Sequence, residues 1–130
     1  MTLGDFVTEC EALAESVAGR PEGSATLDAF VRSSFPGSAL KEGLLRRDAA
    51  RILHVFLLEV AGEKDTDWGE YAALRDVYDC RICANAIAQV CKRGILQPFR
   101  PDAFGGDAPM SEEEAREALQ RMAEYIGSRG

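Results

Sequence analysis

Apolar residues recur along this chain at helical spacing, and three of the stripes open on the same six-residue pattern. Met1-Thr2-Leu3-Gly4-Asp5-Phe6, Leu44-Leu45-Arg46-Arg47-Asp48-Ala49 and Met110-Ser111-Glu112-Glu113-Glu114-Ala115 align without gaps. Each has an apolar residue, a capping position, two variable residues, an acid, and the first apolar residue of a stripe. Where the cap is Thr2 or Ser111, the acid three residues on can complete a capping box, and the apolar residue before the cap suits a hydrophobic staple. Three such openings in 130 residues point to a repeated unit.

The pattern predicts a helix over residues 3–18, with Phe6, Val7, Cys10, Leu13, Ala14 and Val17 on one face. Residues 19–24, Gly-Arg-Pro-Glu-Gly-Ser, read as the turn that ends it. A short helix follows over 26–34 through Leu27, Phe30 and Val31, broken by Phe35-Pro36-Gly37-Ser38. The strongest periodicity lies over 45–61, where Ala49, Ile52, Leu53, Phe56, Leu57 and Val60 share a face and Gly62 supplies an end. A polar loop over 63–71 carries the single tryptophan, Trp68. A helix over 80–93 has Cys83, Ile87, Val90 and Cys91 on one face and Gly94 as its stop. Pro98, Pro101, Gly105, Gly106 and Pro109 make 95–109 a structured loop, and a last helix runs over 112–126 with Ala115, Leu119, Met122 and Ile126 inward. No segment alternates as a strand does. The fold class is therefore all-α, with helix pairs joined by long Gly/Pro loops.

Length and charge narrow the function. A chain of 130 residues is one domain with one modest core. A net charge of −7 argues against a dedicated binder of nucleic acid or anionic membrane. No apolar run is long enough to cross a bilayer, so membrane insertion is not expected. No basic stretch followed by an apolar run opens the chain, so no secretory signal is read in it. Positive charge gathers between Arg32 and Arg51 (Arg32, Lys41, Arg46, Arg47, Arg51), either as a solvated face or as an anion site. The acidic run Glu112-Glu113-Glu114 opens a helix, where the macrodipole favours it.

The order of motifs from Leu74 to Met122 resembles an S-layer homology domain. Asp76-Val77 resembles the opening of that family's repeat. Ala84, Ala86, Ile87 and Val90 resemble its first helix, closed by Gly94-Ile95-Leu96. Phe99, Pro101, Asp102 and Phe104 resemble its loop, and Pro109-Met110-Ser111 with Glu114, Ala115, Leu119 and Arg121 its second helix. Leu44 to Leu53 resembles the second helix of a preceding unit whose first helix is 26–34, and Thr2 to Leu13 the tail of a unit before that. The resemblance thus divides one domain over 1–130 into a partial repeat (1–20), a shortened repeat (24–62) and a full repeat (72–126). It implies three equivalent helices packed about a common core. It implies a non-catalytic module that attaches a surface protein to anionic cell-wall polysaccharide. The family's ligand arginine falls on Arg46; Leu3 and Glu112 hold the equivalent places in the other copies, Leu45 stands for the capping Thr, and Pro98 for a loop glycine. The alternative function is protein–protein contact or assembly by a degenerate copy of this fold, with a homo-oligomer completing the partial repeats. The location it implies is the cell surface, or secretion, where a signal peptide precedes this chain.

Candidate chemistry is sparse. Arg46 and Arg47, in the first turn of a helix, suit a carboxylate or a ketal acid. Trp68 is either a plug on the core or a platform for a sugar face. Cys80-Arg81-Ile82-Cys83 has the spacing of a redox motif, without the strand that usually precedes one. Zinc bound by Cys80, Cys83, Cys91 and His54 lacks a second paired-ligand motif. The plainest reading makes Cys83 and Cys91 small buried residues and His54 a surface histidine. The ligand-binding candidates are thus Arg46, Arg47 and Trp68. No catalytic residue, metal or other cofactor is expected.

Overall fold

The computed structural model describes residues 1–18 and 21–129, and of residues 17, 18, 21–23 and 129 the backbone alone. The protein is all-α: helices account for 68% of it, and no strand occurs among the described residues. The α-helices are α1 (Leu3–Ala18), α2 (Pro21–Ser34), α3 (Arg46–Val55), α4 (Arg81–Lys92) and α5 (Glu112–Arg129). A π turn, Phe56–Val60, continues α3, and short 3₁₀ turns occupy Gly37–Lys41, Gly69–Ala73 and Val77–Asp79.

The three repeated openings become three helix starts. Thr2 and Asp5 form a reciprocal capping box: the Asp5 N–H donates to Thr2 Oγ1 at 3.1 Å, and the Thr2 N–H to Asp5 Oδ2 at 3.3 Å. At α5 only half the box forms, with the Glu114 N–H on Ser111 Oγ at 3.1 Å. Leu45 has no side-chain cap and is extended. The sixth residue of each opening, Phe6, Ala49 and Ala115, is fully buried. Backbone bonds bring the starts to one end: Leu3 N–H to Glu42 at 3.0 Å, Leu44 N–H to Met1 at 3.1 Å, and Met110 N–H to Leu44 at 2.8 Å. Leu44, itself buried, is the shared neighbour.

Helix α2 packs on α1 and α4 packs on α3, while α1 also touches α3 and α5. Phe6, Phe56 and Phe104 are the largest residues of the single core. The outward face of α5 is polar, with Glu113, Arg116, Glu117, Gln120 and Glu124 exposed. It leaves no apolar stripe for another copy's helix.

Three boundaries differ from expectation, the simplest being α5, which runs to Arg129, three residues past its expected end. The predicted turn over 19–24 falls partly on Gly19 and Arg20, outside the described residues. The remainder, Pro21 to Ser24, is the first turn of α2 rather than a turn, because proline suits that position. The helix expected over 45–61 ends in the π turn, where the Ala61 N–H reaches Phe56 at 3.0 Å. Gly94 closes α4 as its position predicts. Its φ of +75° lets the Ile95 N–H return to Val90 at 3.0 Å.

Candidate functional site

Arg46 enters the first turn of α3, but it faces inward. Its side chain is 3% exposed and pairs with Glu114 of α5 at 2.6 Å. A second guanidinium nitrogen donates to the Gln97 carbonyl. The group lies between two rings, 4.3 Å from the centre of Phe99 and 4.5 Å from that of Phe104. Nε has no protein partner. The helix-start N–H groups are also taken, Arg46 by Ala108 at 3.0 Å and Arg47 by Gly106 at 3.1 Å. The arginine expected to meet an external anion is therefore a clamp between α3, α5 and the loop over 95–109. The cleft beside it, about 250 Å³, also holds Glu114, Glu117 and Arg121, so it carries no excess of positive charge.

The loop is shaped around this clamp. Asp76 accepts the Phe104 and Gly105 N–H groups, each at 2.8 Å. Gly105 has φ +80°, and a Cβ there would lie 2.6 Å from the Phe99 ring, so only glycine fits. Phe104 is the buried phenylalanine of the loop; Phe99 stays exposed and covers Arg46 with one face.

Arg47 and Arg51 are engaged as well. Arg47 pairs with Asp107. Arg51 lies over Phe35, 4.7 Å from its centre, beside Asp48 at 3.7 Å. Burial lowers the pKa of Arg51 and raises that of Asp48, in each case against the pull of the opposite charge. The cluster read as a solvated face or an anion site is divided: Arg46 and Arg51 make internal contacts, Arg47 pairs with the exposed Asp107, and Lys41 and Arg32, the latter paired with Asp28 at 2.9 Å, remain exposed.

Trp68 is partly buried against the core, and its indole N–H donates to Asn85 at 2.9 Å. It anchors a polar network over the loop from residue 63. Asn85 donates to Asp65 at 3.0 Å, and His54 meets the other Asp65 oxygen at 2.7 Å. His54 is thus a loop anchor rather than a free surface histidine. Burial pushes the Asp65 carboxyl up, but the bonds from His54 and Asn85 outweigh it and hold the group below its ordinary range. Gln89, fully buried, donates to the Thr66 carbonyl at 2.7 Å and accepts from Arg93 at 2.7 Å. Sequence reasoning missed Asn85 and Gln89. Their signal was two amides four residues apart on an otherwise apolar helix.

Tyr78 and Ile82 were missed too. They are 60% and 73% exposed, and the Tyr78 ring lies 5.7 Å from that of Trp68. Cys80 and Cys83, beside them in sequence, are joined in a disulfide. Cys83 and Cys91 are buried as read from the sequence, but the bond to Cys80 corrects the picture of Cys83 as a simple small core residue. Neither bonded sulfur is free to bind a metal. Among the described residues no group of three His, Cys, Asp or Glu is placed to hold one, and no helix is long and apolar enough to cross a membrane.

Comparison with family models, curated proteins and solved structures found no match.

Proposed function

We propose that this chain is a non-catalytic, degenerate S-layer-homology-like module that binds a protein partner, rather than one that attaches a surface protein to anionic wall polysaccharide. The three helix starts drawn together at one end support the repeat reading. The observation that carries the choice of partner is Arg46. Its guanidinium is spent on Glu114, Gln97 and two rings, and the cleft beside it contains carboxylates. A net charge of −7 adds repulsion toward any polyanion. Among the described residues the exposed large apolar side chains are Leu40, Tyr78, Ile82 and Phe99; Tyr78 and Ile82, four positions apart, are the two most exposed, and Trp68 packs behind Tyr78. Glu70 and Asp79 lie near it in sequence, and so do the exposed Arg75 and Arg81, so the fitting partner is a protein surface with an apolar contact inside a rim of mixed charge.

Two assays separate the readings. The protein and its Arg47→Ala variant are sedimented with purified bacterial cell walls at low and moderate salt. The expected result is little retention of either. Salt-sensitive retention of the wild type that is lost in Arg47→Ala would return the function to wall anchoring. Capture of a defined partner that Tyr78→Asp with Ile82→Asp abolishes, and that Arg116→Asp on α5 leaves intact, is the supporting outcome.

A further inference from the structure

The Cys80–Cys83 bond has no role in that binding reading. Cys80 precedes α4 in an extended conformation, and its carbonyl accepts the Cys83 and Ala84 N–H groups, each at 3.0 Å. The bond therefore closes the first helical turn, with the two Cα atoms 5.1 Å apart. The two residues are not equivalent. Cys83 is buried against the core, whereas Cys80 is half-buried and lines a cleft of about 110 Å³. The cleft is also walled by Arg47, Asp76, Asp79, Gly105 and Asp107. The other two cysteines are free and buried, and burial pushes the Cys91 thiol up to about 12 and that of Cys10 higher still.

We infer that Cys80–Cys83 is a thiol–disulfide exchange site for a low-molecular-weight thiol and its disulfide, with Cys80 the sulfur that is attacked and Cys83 the sulfur that leaves. An incoming thiolate forms a bond to Cys80 Sγ. The Cys80–Cys83 bond breaks, and its electron pair departs on Cys83 Sγ, which takes a proton. A second thiolate attacks the outer sulfur of the mixed disulfide. The small disulfide leaves, and Cys80 departs as a thiolate and is protonated. Two small thiols are oxidised to one disulfide while the protein disulfide is reduced to two thiols. The reverse runs with the small disulfide as oxidant. The cleft is too small for a large substrate and is lined by Asp79, Asp76 and Asp107 against one arginine, of which Asp107 pairs with Arg47. A cationic aminothiol therefore suits it better than an anionic thiol.

Cysteamine and its disulfide cystamine are the probes. In the folded wild type, cysteamine should expose one readily alkylatable thiol, at Cys80, while the buried Cys83, Cys10 and Cys91 stay protected until the protein is unfolded, and cystamine should restore the bond. With cystamine as reagent and one cysteamine released per adduct, Cys83→Ser should gain a cysteamine adduct on Cys80 at least about tenfold faster than Cys80→Ser gains one on Cys83. Per thiolate, cysteamine should react about fivefold faster than thioglycolate, the ratio that ~1 kcal/mol of charge interaction supplies. Adducts forming equally fast on both variants would overturn the assignment. So would a wild-type bond reduced only after guanidine unfolds the protein. That wild-type measurement decides the matter even if a variant fails to fold.

Discussion

The loop over residues 95–109 is held to the helices by one buried cation, whereas the loop beginning at residue 63 is held by a shared network in which the amides of Asn85 and Gln89 act together with Arg93, Lys92 and His54. Arg46 reaches Glu114 and Gln97 from between two rings, and its Nε is left without a partner. Gln89 uses both ends of its side chain: its nitrogen donates to Thr66 and Asn85, and its oxygen accepts from Thr66 and Arg93. A buried charge depends on its counter-charge, and removing one partner strands the other. A satisfied network spreads its dependence over several bonds, the neutral ones each worth about 1 kcal/mol net. The two loops should therefore fail differently.

The largest effect tests the charged clamp. Glu114→Ala leaves the Arg46 guanidinium buried without its anion. Breaking a buried pair costs about 3–5 kcal/mol, and the 35% exposure of the Glu114 side chain places this at the low end, about 3. Thermal unfolding should fall by roughly 10 °C or more. Arg46→Met keeps an apolar stem between Phe99 and Phe104 and buries no charge, so it should cost less than Glu114→Ala. Equal costs for the two variants would mean that the charge is not what matters there.

Gln89→Leu should come next, at about 2 kcal/mol, since it strands the Thr66 backbone groups beside a solvent-exposed loop. Its signature is local: amide exchange should quicken over residues 64–68 and stay slow over 99–105. Faster exchange in both loops would show that the two ties are not independent.

The caps sharpen the contrast. Thr2→Ala removes one half of a closed capping box and should cost about 1 kcal/mol. Ser111→Ala should cost less, because the Glu114 carboxylate is diverted to Arg46 and only half a box is lost. Urea unfolding of the two variants compares them directly.

The smallest effect is on pH dependence. The Asp65 carboxyl titrates below its ordinary value in the folded chain. Its contribution is present above the unfolded pKa, near 4, and is lost as pH falls through the folded value. Asp65→Asn should flatten the loss of stability below about pH 4 and leave the curve at pH 6–8 parallel to that of the wild type. The group is nearly half exposed, so solvent screening keeps the change small.

The helices were legible in the sequence because their cause is local. Periodic apolar residues, the Thr2 and Ser111 caps and the glycine after α4 act within a few positions of one another. The starts of α1, α3 and α5 followed from the three six-residue openings. The loop over 95–109 and the inward residues Leu27, Phe56 and Met122 were readable for the same reason. What each charged side chain meets was not. Arg46 and Arg47 are neighbours with the same chemistry, and nothing in their local pattern says that one is buried under Phe99 while the other stays near the surface with Asp107. That choice is made by Glu114, 68 positions away, and by Gln97, 51 away. The tie between Gln89 and Thr66, the contact of Trp68 with Tyr78, and the cleft that Arg47 shares with Cys80 are likewise decided by how α3, α4 and α5 meet. The sequence by itself determined an all-α chain with three like helix starts and one core. Only the tertiary structure decided which polar groups are spent inside and which sulfur and which apolar residues remain at the surface. Burial and pairing depend on residues that are distant in sequence, and helical periodicity carries no record of them.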